Sequence, residues 1–183
     1  MVSAQVKVHY LQPFATDKNI CKAYNEACDM VPDGDWICLT DYDAMFVHPV
    51  QKQLVEKIAN SGKADLYGAM TNRCNVPEFL VNGMFDEFDL KKHFTTAFTQ
   101  YKIFKDQLYY HSGFIPGYFM LFSKDTWIKV GGFKVPPQAA QFTFDQYFSI
   151  AIERKAIIRG LYILHLYRIW SKFPQLDNEH LLP

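Results

Sequence analysis

Short apolar stretches alternate along this chain with segments whose apolar residues recur at helical spacing, and this alternation limits the folds open to it. A two-residue period indicates strands, whereas recurrence every three to four residues indicates helices. The predicted strands lie at 6–12, 36–40, 64–70, 117–124 and 161–170. The predicted helices lie at 17–31, 49–62, 86–104, 125–133 and 142–155, the first of them capped by Thr16 or Asp17. Alternating elements of this kind predict an α/β fold in which helices are layered around one sheet.

The composition favours a single domain over residues 1–183, long enough to bury an ordinary core. Nineteen basic and nineteen acidic side chains cancel, which argues against nucleic acid or an anionic membrane surface as a partner. The four cysteines form no CxxC pair, so we expect reduced thiols. The sequence has no signal pattern and no apolar run near the ~20 residues of a membrane span. We therefore expect a soluble cytoplasmic protein without a membrane span.

The most specific chemical signal is a pair of aspartates, Asp41 and Asp43, directly after the predicted strand in WICLTDYDAMF. The strand holds the backbone, and side chains two residues apart point to the same side. Neighbouring carboxylates repel each other unless a cation lies between them, so the pair indicates a hard divalent ion, Mn²⁺ or Mg²⁺. Such an ion keeps positions for substrate phosphates, and α/β sheets bind ligands at strand C-terminal ends. The alternative is a solvated turn in which Asp41 caps the next segment.

The C-terminal half offers a third ligand and a phosphate contact. His165 lies between two leucines on the last predicted strand. It is a candidate metal ligand if that strand ends near Asp43, and otherwise a satisfied core histidine. Arg168 and Lys172 could pair with phosphate oxygens, or they are ordinary surface cations.

Asp145 lies among aromatic residues in FTFDQYF, near the start of a predicted helix. An acidic residue there commonly caps a helix or favours its dipole. The functional alternative is a general base, whose proton affinity the apolar surroundings would raise enough to deprotonate a hydroxyl.

Taken in order, the stretches DWICLTDYDAMF, GYFMLFSKDTWIKVGGF and FTFDQYFSIAIERK with LYILHLYRIW resemble the glycosyltransferases of the GT-A fold, family 2-like, over residues 17–170. This resemblance implies a Rossmann-related single domain with a mixed central sheet flanked by helices. About forty residues precede Asp41 where family members usually place two βα units, so we expect a shortened N-terminal half.

The resemblance also implies roles for particular residues. Asp41 and Asp43 match the family's Asp-x-Asp pair, which holds Mn²⁺ or Mg²⁺ against a donor diphosphate, and His165 matches the histidine that often completes the metal shell. Asp145 matches the catalytic base of inverting members. By analogy, Pro13 and Asp17 border the base and ribose of the donor. Asn19, Lys22 and Asn25 lie near the nucleotide, or they are solvated residues of a helix surface. Asp41 and Arg168 are expected at the donor diphosphate.

The function expected from these residues is metal-dependent transfer of a sugar from a UDP- or GDP-sugar to an acceptor hydroxyl, with inversion. Two alternatives stay open. The first is a Mg²⁺-dependent phosphotransferase or phosphatase, since an apolar strand ending in Asp-x-Asp is also similar to haloacid-dehalogenase-like phosphatases. The second is a noncatalytic nucleotide-sugar or carbohydrate-binding module. The segment 71–112 is expected to be an insertion or a lid, with Asn72 and Arg73 near the donor sugar or within a peripheral cover.

Overall fold

The computed structural model describes residues 6–140 and 143–167. Within these ranges the chain forms seven strands, β1 Val8–Leu11, β2 Trp36–Thr40, β3 Ala44–Phe46, β4 Leu66–Thr71, β5 Leu108–Tyr110, β6 Phe119–Ser123 and β7 Lys155–His165. The described helices are α1 Ile20–Asp29, α2 Val50–Ala59, α3 Leu90–Phe104, α4 Lys124–Val130 and α5 Phe144–Ile150. In the part of the chain that the structure describes, no helix has the length and apolar character needed to cross a bilayer.

All seven strands belong to one mixed open sheet of order β1-β2-β6-β4-β7-β3, with β5 also paired to β7. The β1–β2 and β4–β7 pairs are parallel, whereas β6 runs antiparallel to both of its neighbours. The expected α/β class and mixed sheet are confirmed. The three strands at the centre of this order, β6, β4 and β7, are almost wholly buried, which agrees with their near-continuous apolar sequences.

Helices cover both faces of the sheet. Successive side chains along β6 point to opposite faces, so they identify what packs on each face. Phe122 points to one face, where its ring packs against Phe133 and Phe148. Phe119, three residues earlier, points to the opposite face and meets Phe46 edge-on. The α3 helix packs on β7, and α2 packs on both β6 and β7. The core therefore lies in two layers, one on each side of the sheet.

The cap of α1 and the boundary between α5 and β7 differ from the sequence predictions. The cap of α1 is Asn19, whose side chain accepts from the Lys22 amide at 3.1 Å, so the prediction of Thr16 or Asp17 is wrong. The α5 helix ends at Ile150, and β7 begins at Lys155, inside the stretch predicted as helix. Lys155 is tolerated in this buried strand because its ammonium donates to the Ser149 carbonyl at 3.0 Å.

The segment 71–112 contributes to the framework of the fold. Its α3 helix covers β7, and its β5 strand pairs with the first half of that strand, with Tyr109 opposite Ile157. Gly160 allows β7 to lie close to the end of α3, since a Cβ at this glycine would lie 2.6 Å from the Lys105 backbone. The loop between β4 and α3 is the part of the segment that borders the cavity described below.

Candidate metal and catalytic site

The two aspartates and His165 meet because the chain crosses the sheet directly after β2. Asp41 and Asp43 follow β2, and the chain then enters β3, which pairs with the end of β7. In that pair Ala44 lies opposite His165, and the Leu166 amide donates to the Asp43 carbonyl at 2.9 Å. The condition set by the sequence, that the last strand ends near Asp43, is therefore met.

The three side chains form a compact ligand set. One ligand atom from each of Asp41, Asp43 and His165 can be chosen so that all lie within 4.8 Å of one another. The His165 Nε2 atom lies 3.4 Å from Asp43 Oδ1. Its Nδ1 atom lies 2.7 Å from the Arg73 carbonyl, which can only accept, so Nδ1 carries a proton. Nε2 is the ring nitrogen that faces the carboxylates.

The loop that carries the aspartates is held from several sides. The Gln12 side chain donates to the carbonyls of Asp41 at 2.8 Å and of Ala44 at 2.9 Å. The Asp41 amide donates to the carbonyl of Tyr118, the residue directly before β6, at 3.3 Å. The carboxylates therefore stand on a fixed backbone.

The groups around Asp41 act on the pKa of its carboxyl in opposite directions. Burial raises the pKa of its carboxyl, and the nearby Asp43 acts in the same direction. A hydrogen bond of 2.7 Å from the Tyr24 hydroxyl and the proximity of His165 act in the opposite direction. A cation between the carboxylates would offset both the burial and the repulsion.

These residues border a cavity of about 650 Å³, within the range of small-molecule sites. Asp145 lines the same cavity, and burial raises the pKa of its carboxyl to about 6. It accepts from the Gly117 amide at 2.9 Å and the Gln146 amide at 2.8 Å, which hold the carboxylate in place. A carboxylate with that proton affinity suits a general base.

Of the other predicted nucleotide contacts that the structure describes, Pro13 borders the cavity and the residues on or near α1 do not. Asp17 is exposed outside it and lies 3.8 Å from Lys22, while Asn19 caps α1. Asn25 is also outside: its amide group bonds both the N–H and the carbonyl of Phe133, so it docks α1 against the turn after α4. Arg168 and Lys172 lie outside the described residues.

Asn72 and Arg73 lie behind His165, away from the large cavity. The Asn72 side-chain oxygen accepts from the His165 amide at 2.8 Å. The Arg73 guanidinium is buried, donates to the Phe85 and Tyr167 carbonyls and lies 3.3 Å from Asp86. Both residues therefore support the histidine, Asn72 through its side-chain oxygen and Arg73 through its backbone carbonyl.

Several residues at the site were missed by sequence reasoning. Tyr24, on α1, was not among the predicted site residues, yet its hydroxyl reaches Asp41. The Tyr118 ring stacks on His165 with centroids 5.0 Å apart. Lys18, which has a positive φ of 61°, is the one lysine or arginine that lines the cavity among the described residues. A positive φ at a lysine carries no sequence signal, and the tyrosine contacts are non-local.

The donor set fits a divalent cation. Two carboxylate oxygens and one imidazole nitrogen are common ligands of such ions, and a hydrogen bond from the other ring nitrogen to a carbonyl is the usual support of a histidine ligand.

No family model matches the chain, and no curated protein matches it in sequence.

Proposed function

We propose that the protein is a glycosyltransferase that uses Mn²⁺ or Mg²⁺ to bind a nucleotide-sugar donor and passes the sugar to an acceptor hydroxyl with inversion. The observation that carries this proposal is the meeting of Asp41, Asp43 and His165 at the rim of a cavity that also contains the high-pKa Asp145. The choice of sugar transfer rests on the resemblance to GT-A enzymes, with which the mixed α/β sheet is compatible.

The charges around the cavity favour a metal-bound anion. Among the residues that the structure describes, Asp41, Asp43 and Asp145 line the cavity with carboxylates, and Lys18 lines it with an ammonium group. A divalent cation held by Asp41, Asp43 and His165 would stabilise negative charge on the leaving diphosphate as a Lewis acid. Lys18 then faces the phosphate oxygens from the loop after β1.

Asp145 has the chemistry required on the acceptor side. In the proposed step the acceptor oxygen forms a bond to the anomeric carbon, and the bond from that carbon to the diphosphate breaks. The acceptor proton passes to Asp145, whose pKa of about 6 leaves it ionised at neutral pH yet more basic than an ordinary aspartate. Attack opposite the leaving group produces inversion.

Thermal denaturation with Mn²⁺ and nucleotides tests the binding step. At a hundredfold excess over Kd, a ligand that binds the native state adds about 2.7 kcal/mol, or roughly 5–10 °C in a chain of this size. We expect UDP or GDP to raise the Tm only when Mn²⁺ is present. The Asp43→Asn variant should lose this shift, whereas Asp33→Asn, in the Asp-Gly-Asp turn before β2, should keep it.

Two outcomes would contradict the proposal: no nucleotide shifts the Tm of the native protein, or Asp43→Asn responds as fully as the native chain. Hydrolysis of a generic phosphate ester that depends on Asp41 would indicate the phosphatase alternative. Nucleotide-sugar binding without donor hydrolysis or transfer to any acceptor would indicate the noncatalytic module.

A further inference from the structure

Tyr24 reaches the metal ligands from α1, a helix that carries none of them. Its hydroxyl donates to Asp41 Oδ1 at 2.7 Å, and its side chain borders the cavity although only 4% of the residue is exposed. The Asp41 carboxylate therefore has one oxygen engaged by a donor from a separate element.

The position of that hydroxyl is set by packing. The Tyr24 ring meets Phe144 edge-on at 4.9 Å and Phe133 at 6.0 Å. The next residue, Asn25, bonds both backbone groups of Phe133, at 2.8 and 2.9 Å. The donor is thus anchored to the α4–α5 side of the molecule, independently of the loop that carries Asp41.

We propose that Tyr24 is a positioning residue that holds Asp41 ready for the cation, an inference that rests on the metal-dependent function proposed above. Without a cation, repulsion from Asp43 favours rotation of the Asp41 carboxylate away from its neighbour. A fixed hydroxyl on Oδ1 opposes that rotation and satisfies a buried carboxylate. Tyr24 thereby lowers the reorganisation that metal binding requires.

Mn²⁺ binding in the absence of nucleotide provides the test, with free Mn²⁺ measured by electron paramagnetic resonance. Loss of a group that supports a metal ligand typically costs 10–100-fold in affinity, and we expect this loss for Tyr24→Phe. Tyr10→Phe is the matched control, because it removes a tyrosine hydroxyl that bonds a backbone carbonyl, that of Lys52, away from the site. Its affinity for Mn²⁺ should equal that of the native protein.

A double-mutant cycle separates positioning from a general structural role. If Tyr24 acts through Asp41, Tyr24→Phe combined with Asp41→Asn should bind Mn²⁺ as weakly as Asp41→Asn alone. Replacement of Tyr24 by 4-aminophenylalanine keeps the ring and an N–H donor, so it should restore most of the affinity. This variant also serves as the test if Tyr24→Phe does not fold.

The outcomes distinguish this inference from the function on which it rests. Native-like Mn²⁺ affinity in folded Tyr24→Phe would overturn the positioning role and leave the proposed function standing. A loss of affinity that the amino-substituted ring does not restore would also overturn it. Failure of the native protein to bind Mn²⁺ would overturn both.

Discussion

Asp41 and Asp145 are chemically identical side chains that line one cavity, and we propose different roles for them from their surroundings. Burial raises the pKa of both carboxyls. At Asp41 burial also outweighs the opposing contacts, but the Tyr24 hydroxyl and His165 act toward the ionised form, which is the form that would bind a cation. At Asp145 burial outweighs the two backbone hydrogen bonds and leaves a pKa of about 6. Asp145 is not a member of the Asp41, Asp43 and His165 cluster, so it is the group that we propose takes up a proton near neutral pH.

The proposed role of Asp145 as general base predicts the pH dependence of the proposed sugar transfer. Because a general base acts in its ionised form, kcat/KM should rise about tenfold per unit below pH 6 and level off above it. Asp145→Asn should lower turnover by roughly 10²–10⁴-fold and abolish that rise. The Mn²⁺-dependent Tm shift with nucleotide serves as the control and should persist. An unchanged pH profile in the variant would exclude Asp145 as the base.

At the scale of elements, α1 is docked on the glycine turn that ends α4. Gly131 and Gly132 have φ of 80° and 76°, a conformation that side chains other than glycine rarely adopt. Gly132 is also crowded, since a Cβ there would lie 2.7 Å from the Asn25 Oδ1 atom. This oxygen accepts from Phe133 and Trp127, so the turn and α1 form one unit. That unit carries Tyr24.

Comparison of two glycine variants should measure this docking. Gly34→Ala meets the positive-φ penalty of about 1–2 kcal/mol, but no atom lies within 4 Å of the new Cβ. Gly132→Ala meets a similar penalty and also displaces Asn25, so we expect it to lose roughly 1–3 kcal/mol more. Urea unfolding gives both free energies. Equal losses in the two variants would show that the Asn25 contact adds no stability.

At the scale of the whole molecule, one cavity is lined by the partly buried Asp145 together with Asp41 and Asp43. This arrangement lowers the free energy of unfolding at neutral pH. The folded-state pKa of Asp145, about 6, lies above its ordinary value of 3.8, so the folded chain holds this proton more tightly than the unfolded chain. The resulting stabilisation is complete below the unfolded pKa and is lost as the pH rises through about 6. Ionisation of Asp145 at neutral pH thus opposes folding.

Urea unfolding of the native chain and Asp145→Asn at pH 4.5 and pH 7 isolates this effect. Relative to the variant, the native protein should lose about 2 kcal/mol of unfolding free energy between these values. Other titrating groups are common to both chains and cancel in the comparison. A difference that stays constant with pH would contradict the raised pKa.

Much of the framework was predictable because its signals are local. The strand Trp36–Thr40 was predicted to the residue, and the helix predicted at 125–133 overlaps α4 at Lys124–Val130. The three-residue strand β3 was missed, since a segment this short has no recognisable period, and it exists through pairing with β7. Strand β5 was missed for the same reason.

The sequence by itself determined the α/β layering and the identity of the two acids and the histidine, because periodicity and residue type can be recognised in short stretches of the chain. Only the tertiary structure decided that these groups meet. Ala69 pairs with Ile158 but Met70 pairs with Tyr162, so β7 shifts by three residues against β4. An odd shift exchanges the faces of a strand, and the side on which His165 lies depends on it. Tyr24, anchored through Phe133 and Phe144, reaches Asp41 by packing between residues distant in sequence, which no local pattern encodes.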